Sequence, residues 1–397
     1  MKRDYSPFTP GIPTTPEQFR GKAEEVKALF EASRAAAKGG RFERTFLIGD
    51  RGIGKSSLCA VVRELADREL SMLTAHVFLG GASTVEEMCR RVFDRLASES
   101  VKRPWHDKLK ALLGKHIKQV GLFGVSVGFQ ASAEDLRGIA EHFHTELGGL
   151  LERLRGEREG MLLILDDING LAEQRSFAQW LKSFVDTVAL MKPTLPLHLV
   201  LSGTGDRRDA LLAHQPSLDR VFTIRRTGLI QNSDATQFLT DTFARAGVTV
   251  EPKALSFMVG YAAGYPALLQ EIGDAVFRFD SDDRVDLSEA KRGTIEAAKV
   301  VGEKYLNQGV LSAIRSGQYR AILGKLASRW DKQQFERSEI DKLLSDEEQR
   351  SFDKFVHRMR ELGVLDSTEA GTYRFVNPLH RIYYWHRAVD EAKASKK

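Results

Sequence analysis

The chain has 397 residues, 28% charged and 42% hydrophobic, with a formal net charge of +5. That length holds two or three domains with ample core, and the composition excludes a disordered or fibrous protein. No apolar run approaches the roughly 20 residues needed to cross a bilayer, the N-terminus lacks the apolar stretch of a secretory signal, and two cysteines (Cys59 and Cys89) suit a reducing compartment. The expectation is therefore a cytoplasmic protein with no membrane partner; the basic excess permits nucleic acid as a partner without requiring it.

Residues 1–18 carry four prolines and few apolar side chains, and read as an extended arm. Helical periodicity follows over Phe19–Ala37, then a short strand over Thr45–Ile48. Between that strand and a helix over Leu58–Leu70 lies "LIGDRGIGKSSL", which completes the pattern G-x-x-x-x-G-K-[ST] from Gly49 to Ser56. Gly49, Gly52 and Gly54 allow positive φ and leave no Cβ in the way of a ligand. Successive backbone N–H groups, reinforced by the partial positive charge of the helix N-terminus, then cradle phosphates. Lys55 reaches the β- and γ-phosphates, the Ser56 hydroxyl is the magnesium ligand, and Ile53 and Ser57 complete the nucleotide-contacting stretch. This loop is expected to bind ATP or ADP with Mg²⁺.

Leu73–Gly80 reads as a second strand, and Thr84 with Glu87 forms a capping box for a helix over Val85–Ala97. Val120–Gln130 reads as a glycine-interrupted strand or hairpin, inside an insertion at about 100–135. The run "MLLILDD", Met161–Asp167, fits a strand buried on both faces of a parallel sheet. Asp166 ends it where open α/β sheets bind ligands, placed to hold Mg²⁺ opposite Ser56, with Asp167 placed to polarise the attacking water. Both carboxylates could instead cap a helix or pair with nearby bases. A long helix over Ala172–Met191 precedes a strand over Leu195–Gly205, whose Ser202 and Thr204 share one face. A fifth strand covers Val221–Arg226. Strands alternating with helices indicate an α/β fold, a P-loop NTPase with a doubly wound parallel sheet, over 19–230.

Helices follow over Asp234–Ala246, over Gly264–Phe279, and from about Gly293 to near Asn307. Residues 317–390 hold three short helices, Tyr319–Ser328, Ser338–Leu344 and Asp346–Leu362, then two short strands about a glycine-containing turn, and the aromatic stretch Tyr373–Ala388 as a closing packing helix. In Asp346–Leu362 the spacing puts Phe352, Phe355, Val356, Met359 and Leu362 on a core face and leaves Arg350, Lys354, His357, Arg358 and Arg360 largely outside. On DNA such a helix would set those basic residues on phosphates and base edges, although Asp353 and Glu361 interrupt the face.

In their order, the phosphate loop, an intervening strand, "LLILDD" and "LVLSGT" resemble the AAA+/STAND branch of P-loop ATPases, of the archaeal-ATPase-like kind. "FRGKAEEV" is similar to that branch's F-x-G-R-x-x-E motif, and "GYP" at Gly264–Pro266 looks like the G-x-P motif of its lid. The resemblance covers about 19–280. It implies Phe19 and Gly21 near the adenine, Pro266 on the base or ribose, and Ser202 on the γ-phosphate or its water. It also implies Arg220 in the place of an arginine finger, with pairing to Asp219 as the alternative. It implies a helical lid over 231–310, and residues 317–390 resemble a winged helix. The sequence departs from AAA+ in having Ala267 where a sensor arginine stands and Asp167 where a glutamate is usual. Both departures imply slow hydrolysis. The reading is an ATPase switch that couples nucleotide state to homo-oligomer assembly or to partner recognition. The alternatives are a regulator or loader acting on double-stranded DNA, in replication or transposition, and a signalling or antiviral-defence ATPase that recognises a protein. A metabolic kinase is disfavoured, since no second substrate pocket is evident in the sequence.

Overall fold

The protein is described from a computed structural model, which covers residues 5–394 apart from 102, 104, 114–116, 120–126, 130, 306–312, 329–333 and 370. Most of the hairpin expected over Val120–Gln130, and the helix end expected near Asn307, lie outside the described residues. The chain divides into two compact units, Pro13–Gly228 and Met1–Ile12 with Leu229–Lys397.

In the first unit, α1 (Ala23–Gly39), β1 (Phe42–Ile48), α2 (Lys55–Leu70), β2 (Leu73–Phe78) and α3 (Val85–Ser100) come first. Next are α4 (His106–Leu113), β3 (Ile117–Gln119), β4 (Val127–Phe129), α5 (Ala133–Glu141) and α6 (Phe143–Arg153). The unit continues with β5 (Met161–Asp166), α7 (Asn169–Ala172), α8 (Arg175–Leu190), β6 (Leu197–Gly203), α9 (Gly205–His214) and β7 (Thr223–Arg226). Five strands form one sheet in the order β2-β5-β6-β1-β7, parallel throughout. The side-chain period of two sorts each strand between two cores. Met161, Leu163, Leu165, Leu197, Leu199 and Leu201 pack in a cluster with residues of α3, α6 and α8. Leu162, Ile164 and Val200 pack in a second cluster with Leu29, Leu58, Cys59 and Val62 of α1 and α2. Covering both faces is what makes β5 and β6 read as unbroken apolar runs.

Several sequence expectations are refined. The helix expected over Ala172–Met191 is α8, which starts at Arg175, and a separate short helix, α7, precedes it. At α3 the Thr84 hydroxyl accepts from Glu87 N, but the return half of the capping box is missing. The Glu87 carboxylate is instead held by Arg90 and Arg91, whose hydrogen bonds bring its pKa down to about 2.

The second unit contains α10 (Asn232–Arg245), β8 (Thr249–Val250), α11 (Pro252–Ala262), α12 (Pro266–Phe279), β9 (Arg284–Val285) and α13 (Leu287–Tyr305). After these come α14 (Gly317–Ala327), β10 (Gln334–Glu336), α15 (Arg337–Asp341), α16 (Asp346–Glu361), β11 (Leu365–Glu369), β12 (Thr372–Phe375) and α17 (Pro378–Ala394). The sequence reading passed over α11 and β10. Leu379 and Ile382 of α17 join the core of α10–α13, while Tyr383 and Tyr384 join that of α14–α16. Within the segment read as an extended arm, the described residues are anchored by side chains. Phe8 is buried edge-on against Phe243, with ring centroids 4.9 Å apart, and Thr9 N donates to Gln270 Oε1 at 2.8 Å. A Cβ on Gly273 would lie 2.3 Å from the Phe8 ring, so the glycine makes the slot.

On the α1/α2 side of the sheet His198 is fully buried between Ser33 and Thr45. Because Ser33 Oγ donates to Leu29 O, His198 Nδ1–H donates to Ser33 Oγ, and Nε2 accepts from Thr45 Oγ1. Burial takes its pKa down to about 3. Below about pH 6.5 the unfolded chain binds a proton here that the folded chain refuses, so stability falls as pH drops through that window. Between pH 7 and pH 5 this group alone should cost about 2 kcal/mol. Urea midpoints at the two pH values should show the loss, and it should shrink by about that amount in His198→Gln; an unchanged difference would show that His198 does not carry it.

Candidate functional site

The phosphate loop joins β1 to α2. Gly52 and Gly54 adopt φ of 78° and 95°, the left-handed region that favours glycine. Gly49 is needed for space: a Cβ there would lie 2.8 Å from Thr227 Cγ2 and 2.9 Å from Thr227 O. Ile53 is buried and anchors the loop. Lys55 opens α2, and its Nζ donates back to Gly49 O at 2.7 Å and Asp50 O at 2.9 Å, so the ammonium is folded over the loop's own carbonyls. Burial lowers the Lys55 pKa, against the attraction of Asp166, Asp50 and Asp167. Ser57 Oγ accepts from Thr14 N at 3.0 Å.

Asp166, the last residue of β5, is 1% exposed. Register sets it beside Ser202 of β6 and Phe78 of β2, and alternation turns it to the face that α2 covers. Burial alone would raise its pKa, but His76, Ser202 and Ser56 together hold the carboxyl below its ordinary value. His76 Nε2 lies 2.9 Å from Asp166 Oδ2, and the His76 ring is 4% exposed. The Ser202 hydroxyl is fully buried and meets no partner in good hydrogen-bond geometry. A hydroxyl (Ser56) and a charged carboxylate are hard oxygen donors of the kind Mg²⁺ takes, and the buried Ser202 hydroxyl beside them, without a partner in good geometry, fits a site completed by a ligand. Ser56 and Asp166 are thus the residues that would hold the ion.

Asp167 has φ of 58°, left-handed and strained for a residue with a side chain. Its Oδ1 accepts from Asn169 Nδ2, and a Cβ on Gly80 would lie 2.9 Å from its Oδ2. The alternative reading of these carboxylates as helix caps fails: α7 has Ile168 at its N-cap and no side-chain cap bond.

Phe19 packs against the cluster containing Leu58 and Cys59, and Gly21 has φ of 76°. The next residue, Lys22, was not singled out from sequence. Its Nζ donates to Thr227 Oγ1 at 2.7 Å and to Gly228 O; burial lowers its pKa, Glu25 opposes that, and Lys55 adds to it. His76 was missed too, since a lone histidine in a strand carries no motif. Arg220 is exposed, and its alternative role is corrected: Asp219 is held by Arg208. Pro266 opens α12 in the other unit, after Gly264 at φ of 76°. In α16, Phe352, Phe355, Val356 and Met359 are buried, Leu362 following it is partly so, and Arg350, Lys354, His357 and Arg360 are exposed. Arg358 and His357 both pair with Glu361, at 2.8 and 3.3 Å.

Residues 18–200 match the model of the AAA ATPase domain family. No curated protein matches the chain. Among solved structures, the chain is similar to the Walker-type ATPase of Pyrococcus abyssi, at 18% identity and TM-score 0.57, covering 94% of this chain and 97% of that one. It is also similar to the ORC2 protein of Aeropyrum pernix, solved in ADPNP–ADP complexes, at 13% identity and TM-score 0.58, covering 96% and 97%. These likenesses show the fold, an α/β P-loop ATPase architecture. Among the described residues no helix is long and apolar enough to cross a membrane.

Lys55→Ala removes the cation that the loop presents and should weaken ATP binding at least about tenfold, on the order of 1.4 kcal/mol or more. Calorimetry on the full chain checks this; unchanged affinity would remove the phosphate role from Lys55.

Proposed function

We propose that the protein is an ATP-binding, slowly hydrolysing AAA+/STAND-type switch. The observation that carries this reading is the buried, charged Asp166 beside Ser202 and Ser56, with Lys55 electrostatically coupled to it. Gly49 to Ser57 bind the phosphates through backbone N–H groups and Lys55, with Phe19 and Gly21 on the adenine side and Pro266 as the lid's contact. Mg²⁺, when bound by Ser56 and Asp166, supplies neutralisation of charge on the β- and γ-phosphate oxygens. Asp167 orients the attacking water, and Ser202 hydrogen-bonds on the γ-phosphate side. Slow turnover is supported by Asp167 itself, a carboxylate one methylene shorter than the glutamate usual there, with one oxygen already engaged by Asn169. Ala267 offers no sensor cation in the lid. Arg220, exposed and not held by Asp219, is the residue we assign to a neighbouring copy's nucleotide in an ATP-dependent homo-oligomer.

Asp167→Asn keeps the shape and removes the base, so it should bind ATP with Mg²⁺ within about threefold of wild type while turnover falls at least about a hundredfold. Phosphate release and calorimetry on one preparation separate the two effects; wild-type turnover would make Asp167 structural.

The second unit supports an output through a winged helix made by α14–α16 and the sheet β10-β12-β11. A second reading, double-stranded DNA as the partner, is favoured by Arg350, Lys354 and Arg358 recurring every fourth residue along α16. Opposing it, Glu361 engages Arg358 and Arg337 engages Asp353, as on a surface that reads a protein. If DNA binds, log K should fall with log[salt] by about 0.9 per phosphate contact, and Lys354→Ala with Arg358→Ala should lower that slope by roughly two. ATP affinity should survive the double change. Absence of salt-sensitive DNA binding by the wild-type chain, with and without ATP, selects the protein-partner reading.

A further inference from the structure

His76 lies on β2, an edge strand whose one neighbour in the sheet is β5. Register pairs His76 with Ile164 and Phe78 with Asp166, so the contact from His76 Nε2 to Asp166 Oδ2 runs diagonally along one face, at 2.9 Å. A carboxylate oxygen accepts, so at this distance the ring nitrogen facing it is the donor. Nε2 therefore carries the proton and donates. The ring is further fixed by Phe78, its centroid 4.6 Å away at an interplanar angle of 32°.

Stability alone does not account for this pair. A buried polar or ionic pair is commonly replaceable by apolar residues at no loss, and apart from the partly buried Thr74 the rest of β2 and β5 is apolar. The pair sits instead at the carboxyl end of the sheet, on the carboxylate that the phosphate loop faces.

We propose that His76 is the positioning residue of Asp166: its Nε2–H commits one carboxylate oxygen, fixes the rotamer, and leaves the other oxygen aimed at the magnesium ion. This rests on the reading of Asp166 as the magnesium-holding residue. Partners of this kind orient metal-ligating carboxylates, and their loss typically lowers metal affinity about 10–100-fold.

The test is the magnesium factor: the ratio of ADP affinity in saturating Mg²⁺ to that in EDTA, by calorimetry on the full chain, each variant referred to its own EDTA value. His76→Gln places an amide N–H near the position of Nε2 and should stay within about threefold of the wild-type factor. His76→Asn places its amide near Nδ1, out of reach of Oδ2, and should lower the factor about tenfold or more. His76→Phe keeps the ring against Phe78 without a donor and should match His76→Asn; it provides the same comparison if the asparagine variant folds poorly. A donorless variant with the wild-type factor, or a glutamine variant that falls as far as the donorless ones, would overturn the proposal. A wild-type chain whose ADP affinity ignores Mg²⁺ would overturn the underlying reading of Asp166, and it is distinguishable because it appears before any substitution.

Discussion

The first unit is organised around keeping one carboxylate charged where almost no water reaches it. Asp166 is 1% exposed, and an isolated carboxylate so placed would take up a proton. Four groups oppose that: His76 from β2, Ser202 from β6, Ser56 from α2, and the Lys55 charge. They come from three elements, Ser56 and Lys55 both lying on α2, so the charge exists only when the strand order β2-β5-β6 is formed and α2 is docked on the sheet. The reverse also holds. Lys55, desolvated by the same burial, remains a useful cation because Asp166, Asp50 and Asp167 lie near it.

How much of this was legible in the sequence follows from which interactions are local. The phosphate loop could be read whole because glycine spacing, lysine and serine all act within eight residues. The buried strands could be read because two covered faces leave an apolar run, and the α16 core face because its period is helical. His76 and Asp166 are 90 residues apart and meet only through the pairing of β2 with β5. Lys22 and Thr227 are 205 apart, with nothing in either segment to announce the other. The same limit explains the half-formed capping box: Thr84 and Glu87 have the right spacing, but Arg90 and Arg91 compete for the carboxylate and win with two charged donors. Proline and low apolar content made residues 1–18 read as an extended arm without showing what anchors it, because one buried aromatic, Phe8, is enough to fix such a segment and leaves no periodicity.

Histidine illustrates why burial has to be judged with its partners. His76 and His198 are both buried on the α1/α2 side of the sheet, within hydrogen bond of other side chains. His198 meets two hydroxyls, neutral groups that satisfy both ring nitrogens and give no reason for charge, and it serves as a polar staple between α1, β1 and β6. His76 meets a carboxylate at the ligand end of the sheet. The same residue type in similar burial therefore stands in two different chemical situations, and only the partner separates them.

Both places where the chain leaves the first unit lie beside the phosphate loop. At one, Thr14 follows Pro13, and its N–H is bound by Ser57, the residue after the serine that faces Asp166. At the other, Gly228 is the unit's last residue, its carbonyl accepts from Lys22, and the preceding Thr227 donates its N–H to Ile48 O while its side chain fills the space a Cβ of Gly49 would need. Burial first, and then the Lys55 charge against the pull of Glu25, lowers the basicity of Lys22, the residue holding Gly228. A ligand that draws Lys55 off the carbonyls of Gly49 and Asp50 changes the backbone against which Thr227 packs. The covalent exits of the unit are thus built from the same few residues as its phosphate site. The atoms packed beside the phosphate loop are therefore also those that carry the chain onward.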